Sequence, residues 1–182
     1  MDAATACFAE QGFHQTGIRE IAKRDDVSLG NLYNHFPSRH ELLFALADQE
    51  IAKIPSCITL LEHDVPACDG LRDFIRSYCV CYSNRDAAIL YLDISAEAMR
   101  QPDIARPFVK ARNSLANALS SVISRGVKAQ NFEHALYELA MANMILDLTE
   151  GAAARSVIDG INPQDLAISV ESFVLSDLAF RK

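Results

Sequence analysis

The chain has 182 residues, of which 50% are hydrophobic and 23% charged, the usual range of a globular protein. Only 7 Gly and 6 Pro argue against a loop-rich β protein and for an all-α chain. The formal net charge of −7 argues weakly against a nucleic-acid partner and says nothing about fold.

No apolar run reaches the length of a membrane span, and the start MDAATACFAEQGF carries no basic region of the kind that opens a signal peptide. A cytoplasmic protein with no membrane partner is expected. Five Cys, an odd number without a CxxC pair, read as small reduced core residues. Cys79-x-Cys81 has only His63 as a His in its region, so no metal and no cofactor are expected.

Helical periodicity runs through almost the whole chain. A first helix is predicted over 2–11, stopping at Gly12. Thr16 is read as the N-cap of a second, which buries Ile18, Ile21 and Ala22 at i, i+3, i+4. Asp25-Asp26-Val27 is a three-residue break. Ser28 caps a third helix that ends at Pro37. Ser38 and Glu41 form a capping box that opens a fourth, over about 38–53. Residues 55–70, with two Pro and a Gly, are read as the linker. Further helices are predicted over 70–83, 86–100, 104–127, 132–157 and 163–180, about nine in all. Pro102 and Pro107 mark the break before the seventh, and Pro163 opens the last.

The third helix carries the most informative stretch, SLGNLYNHF at 28–36. At about 100° per residue, Leu29, Leu32, Tyr33 and Phe36 fall on one side. Gly30, Asn31 and Asn34 fall on the other, with Ser28 and His35 between. Two short helices joined by a three-residue turn, the second with a small amide-bearing face, fit a helix-turn-helix whose second helix lies in the DNA major groove. Amides pair with adenine edges, Gly30 lets the backbone approach, and Ser28 leaves a helix N-terminus facing an anion. Tyr33 can pack its ring and extend its hydroxyl to a phosphate, and Arg39 can reach the same backbone. A helix pair with a merely solvated polar face fits the same wheel.

The wider string AATACFAEQGFHQTGIREIAKRDDVSLGNLYNHFPSRHELLFAL resembles the DNA-binding domain of the tetracycline-repressor (TetR) family. The resemblance rests on FAEQGF, Thr16, IREIA, Val27-Ser28, Leu32 to Phe36 and the Ser38-to-Leu43 helix start. It implies a helix-turn-helix domain over 1–45 and an effector-binding and dimerisation domain over 46–182, with helix 38–53 as connector. It further implies DNA contacts among Thr16, Arg19, Ser28, Leu29, Gly30, Asn31, Tyr33, Asn34, His35 and Arg39. Three features depart from the family pattern. Asp26 stands where the turn usually has Gly, and Asp tolerates a left-handed backbone better than most residues. Leu29 stands where Lys is frequent. The first helix also opens without the usual basic arm.

Residues 1–50 hold four basic side chains, Arg19, Lys23, Arg24 and Arg39, against eight acidic ones. Such a unit must gather its few cations on one face, because phosphate neutralisation drives affinity. Either binding is weak or the natural chain starts earlier, and the second is the expectation.

In the C-terminal part, residues 70–83 bury Leu71, Phe74, Ile75, Tyr78 and Tyr82 on one stripe. The helix over 86–100 is apolar on nearly every side except for Asp93 and Glu97 at i, i+4. These acids could select a cationic or hydrogen-bonding ligand, or form structural ion pairs with Arg100, Lys110 or Arg112. Tyr78, Tyr82, Tyr91, Asp93, Glu97, Arg112, Met141 and Met144 are the candidate ligand-pocket residues. The last two predicted helices are apolar beyond one buried stripe. A two-fold interface of Ala135, Leu139, Ala142, Ile145, Phe173, Val174 and Leu178 would cover the surplus.

No Glu-x-x-His pair, HExxH, P-loop or GxSxG occurs, so no enzyme is expected. The expected function is a ligand-responsive, homodimeric transcriptional regulator. It would repress from a palindromic double-stranded operator and be released by a small-molecule effector. The alternative is a helical ligand-binding protein whose DNA binding is weakened or lost.

Overall fold

In a computed structural model, the structure describes residues 2–62, 65–132 and 137–178. Among them there are ten α-helices and no strands. They are α1 (Asp2–Gln11), α2 (Ile18–Arg24), α3 (Leu29–His35), α4 (Arg39–Ile51), α5 (Ile54–Glu62), α6 (Ala67–Tyr82), α7 (Arg85–Ala98), α8 (Pro102–Lys128), α9 (Glu138–Asp159) and α10 (Pro163–Leu178). No helix among the described residues is long and apolar enough to cross a membrane.

Three local assignments differ from the sequence reading. The linker predicted over 55–70 contains α5 and the start of α6. Pro55 stands in the first turn of α5, where its missing N–H costs nothing, so it starts a helix rather than a loop. Pro107 does not break the chain either. It lies in the second turn of α8, which opens at Pro102. The N-cap of α2 is Gly17, not Thr16. The Thr16 hydroxyl is turned inward, donating toward the carbonyls of Gly12 (2.9 Å) and Cys7 (3.1 Å). The cap assigned to Ser38 is present, its Oγ accepting from the Glu41 N–H at 3.2 Å.

The helices gather into two compact units. The first comprises the described residues up to Ala52 together with Arg85–Val109. Its core joins Phe8, Phe13, Ile21, Leu32, Leu43 and Leu46 to Leu90, Ile94 and Ile104. A division at residue 45 therefore leaves out α7 and the first turns of α8, which pack with the first three helices. The second unit comprises Lys53–Asn84 and the described residues from Lys110 onward. It buries Leu71, Phe74 and Ile75 of α6, Leu115, Leu119 and Ile123 of α8, Leu146 of α9 and Val170 of α10.

In the second unit Glu171 of α10 accepts from Arg72 Nε (2.8 Å) and Arg76 Nε (2.6 Å) of α6. Burial pushes the Glu171 carboxyl up, but the two guanidinium groups outweigh it and hold the group below its usual value of 4.5. The folded chain therefore binds this proton more weakly than the unfolded chain. The stabilisation is complete above the unfolded value and is lost as pH falls through the folded one. Glu171→Gln is expected to cost about 1–3 kcal/mol at pH 7. Thermal melts of both proteins from pH 7 to pH 3 should converge at the acid end, and a constant gap would sink this account.

Candidate nucleic-acid interface

The turn between α2 and α3 is built by Asp26 at φ 52, a left-handed backbone that Asp can adopt at modest cost. Ser28 then caps α3, its Oγ accepting from the Asn31 N–H at 3.1 Å. Leu32 is buried, and Leu29 and Phe36 are partly buried against the first unit's core. Gly30, Asn31 and Asn34 on the other side of α3 are exposed, as is His35; Tyr33, expected to pack its ring on the apolar side, is 45% exposed. A Cβ on Gly30 would meet nothing within 4 Å, so no internal packing explains this glycine.

Two of the sequence candidates face inward. Thr16 is buried and its hydroxyl closes the turn after α1. Leu29 packs toward the core, so it replaces a frequent family cation with an apolar contact rather than with another DNA-facing group. Arg39 is held as well. Its Nη1 donates to the His14 carbonyl at 2.5 Å, and its guanidinium carbon lies 4.6 Å from the Phe13 ring centroid. Arg24 makes a two-pronged pair with Glu10 at 2.6 and 2.8 Å, a contact that lowers the Glu10 carboxyl. Of the four cations in the first 50 residues, Arg19, Lys23 and Arg24 are exposed on α2, and the Arg24 guanidinium is paired with Glu10.

The candidate pocket residues belong to both units. Tyr78, Tyr82 and Arg112 meet in the second unit around Glu150, which the sequence reading missed. The Tyr78 hydroxyl donates to Glu150 Oε1 at 2.9 Å, and Arg112 Nε donates to Glu150 Oε2 at 3.4 Å. Arg112 also reaches Asn143 (3.0 Å) and Asp147 (2.6 Å). The Tyr78 ring stacks on Phe74 at 5.1 Å and lies 4.7 Å from Tyr82. Burial, then Tyr82 and Glu150, push the Tyr78 phenol up, so it stays a proton donor. The signal for Glu150 was an acid, with Asp147 one of two, inside the otherwise apolar string MILDLTEGAAA.

Tyr91, Asp93 and Glu97 instead belong to the first unit. Tyr91 packs 5.8 Å from Phe108, and the acids bind the turn after α1. Met141 and Met144 line an open groove of α9 and α10 with Ile145, Leu148, Phe173, Val174 and Asp177.

That groove also sorts the interface candidates. Leu139 and Phe173 are exposed, as is Met144. Ala142, Ile145, Val174 and Leu178 are buried within the chain and form the inner stripes of α9 and α10. Ala135 lies outside the described residues.

Residues 1–46 match the family model described as bacterial regulatory proteins, tetR family. The chain is 24% identical over 167 residues to the HTH-type transcriptional repressor Rv1474c of Mycobacterium tuberculosis, covering 92% of this chain and 84% of that protein. It is 27% identical over 173 residues to the HTH-type transcriptional regulator UidR of Escherichia coli, covering 92% and 82%. Among solved structures, FadR from Bacillus subtilis in complex with stearoyl-CoA is similar with a TM-score of 0.79 and 20% identity, covering 97% of this chain and 96% of that one.

Proposed function

We infer that this chain, which belongs to the tetR family of bacterial regulatory proteins, is a homodimeric DNA-binding transcriptional regulator that represses until a small molecule releases it. The observation that carries the reading is the exposed amide face of α3, capped at Ser28 and backed by buried Leu32. Asn31 and Asn34 are free to enter a major groove and pair with base edges. Tyr33, Arg19 and Lys23 are the groups for phosphates, which fix register without carrying sequence information. A two-fold dimer would place two copies of α3 on a palindromic operator. The protein acts in the cytoplasm and has no catalytic role.

The Glu150 cluster is where we place effector sensing. The Arg112 guanidinium meets two carboxylates there, Glu150 and Asp147, and the Tyr78 hydroxyl holds Glu150 as well. A ligand that displaces Arg112 would have to favour one arrangement of the dimer over another to change DNA affinity.

The function is tested by titrating specific and random duplexes at two salt concentrations. Duplexes selected by the protein from a random library serve as the specific probe. Asn31→Ala should cost about 1–3 kcal/mol on the selected duplex and little on random DNA. Arg19→Ala should weaken both and lower the salt slope by about 1. If Asn31→Ala leaves the ratio of specific to random binding intact, α3 does not read bases.

One observation favours the alternative, a ligand-binding protein with weakened DNA binding. Arg24 and Arg39 are both engaged within the chain, in a unit already short of cations. Failure to recover any selected duplex would establish that alternative.

A further inference from the structure

Two acids of α7 serve neither the exposed face of α3 nor the Glu150 cluster. Asp93 and Glu97, at i and i+4, both meet the turn that follows α1. Asp93 Oδ2 accepts the backbone N–H of Phe13 at 3.1 Å. Glu97 Oε1 lies 3.2 Å from His14 Nε2, with the carboxylate side chain only 5% exposed and the imidazole 68%. Arg100 Nη1 (3.0 Å) and Gln101 Nε2 (2.7 Å) hold the same carboxylate from its own side of the contact.

The opposite side of this turn belongs to Arg39, which accepts the Phe13 ring beneath its guanidinium and donates to the His14 carbonyl. Phe13 is further wedged edge-on by Phe8 at 5.5 Å and His40 at 5.6 Å. One dipeptide thus spends its N–H on α7 and its carbonyl on the first residue of α4. Only Phe36, Pro37 and Ser38 separate Arg39 from the end of α3. Half-buried carboxylates are costly to desolvate, and burial indeed pushes Asp93 up against the Phe13 N–H and His14 that hold it down. An apolar pair would pack α7 as well, but could not grip a backbone N–H.

We propose that Asp93 and Glu97 are positioning residues for operator recognition: through the Phe13–His14 turn they fix Arg39, and so the angle at which α3 presents Asn31 and Asn34. The inference rests on the DNA-reading function proposed above. It also changes the role of Arg39 from a phosphate contact to a support.

The test uses the full chain, duplexes that the wild-type protein selects from a random library, and a random duplex at the same salt. Asp93→Ala removes the acceptor for Phe13. It should weaken the selected duplex about tenfold and change random-duplex binding by less than about twofold. Asp93→Asn, which keeps an acceptor oxygen, should restore most of the loss. In an Arg39→Ala background Asp93→Ala should add little, because the link is already cut. His14→Ala alters only an exposed side chain and will fold where Asp93→Ala does not. It should lower the specific-to-random ratio about threefold. Lower melting temperatures with an unchanged ratio would show that the acids only hold the fold, and would overturn the proposal. Independent, multiplying losses from Asp93→Ala and Arg39→Ala would overturn it too. If the wild-type chain selects no duplex, the DNA-reading function fails and this inference falls with it. If Asn31→Ala loses specificity while the α7 variants do not, this inference fails alone.

Discussion

Phe173→Asp is expected to halve the mass measured by light scattering at micromolar concentration. Phe173 is 64% exposed on α10 and Met144 is 64% exposed on α9. They line one groove with Met141 and Leu148, and Leu139 and Ile168 add exposed apolar surface on the same two helices. An exposed groove lined by apolar side chains apart from Asp177 is uncommon on a monomer. At about 25 cal/mol per Å², covering it against a second copy is a main source of dimer affinity. A two-fold axis makes the contact self-complementary, so each substitution enters the interface twice. Two carboxylates brought there without partners oppose association strongly.

The same substitution should reduce binding to a palindromic duplex by orders of magnitude, because a monomer loses the effective concentration of the second α3. Val174→Asp provides the contrast. Val174 is buried inside the chain, so this change should unfold the second unit rather than release a folded monomer. An unchanged mass for Phe173→Asp, or a folded monomer from Val174→Asp, would mean that the outer and inner stripes have been assigned the wrong way round.

These stripes mark a limit of sequence reading. α9 and α10 are apolar on most sides, so a helical wheel cannot tell a residue that packs within the chain from one that packs on a second copy. The wheel therefore groups Ala142, Ile145, Val174 and Leu178 with Phe173. By contrast, α3 was legible because its signals are local. Ser28 caps it, a three-residue turn precedes it, and its two sides differ in chemistry. α5 was missed because Pro55 reads as punctuation unless its place in the first turn is known. Thr16 reads as a cap because its true acceptors, Gly12 and Cys7, are fixed by the fold of the turn. Asp93 and Glu97 stood out as acids on an apolar helix. Nothing in the periodicity of α7 says that the helix packs with α1, so the wheel groups them with tyrosines of the other unit. Glu150 escaped for the same reason: its partners lie 72 and 38 positions away in sequence.

Gly126 was equally silent in sequence, yet its substitution by alanine is expected to destabilise the second unit by about 2–4 kcal/mol. The chain leaves α8 through Gln130, which adopts a left-handed backbone at φ 57. The N–H groups of Asn131 and Phe132 then return to the Gly126 carbonyl at 2.8 and 3.2 Å. This fold-back seats the buried Phe132 ring directly on Gly126. A Cβ there would come 2.1 Å from Phe132 Cδ2 and 2.3 Å from Cε2, with Ala67 Cβ at 3.1 Å behind it. Contacts so short cannot be accommodated, so either the ring leaves its site or α8 moves away from α6. Both lose apolar burial. Alone, Phe132→Ala should cost about 3–5 kcal/mol, the usual range for a buried aromatic ring. With the ring gone, the main obstacle to a Cβ is gone, and Ala67 Cβ at 3.1 Å has only to give by a few tenths of an ångström. Gly126→Ala in the Phe132→Ala background should then be neutral or stabilising by up to about 1 kcal/mol, because alanine is the better helix former. The sign reversal distinguishes a steric fit from a general intolerance of change in α8. It is read from urea unfolding of the four proteins at one fixed chain concentration, since association shifts apparent stability. Additive losses in the double variant would mean that Gly126 is not reserved for the Phe132 ring.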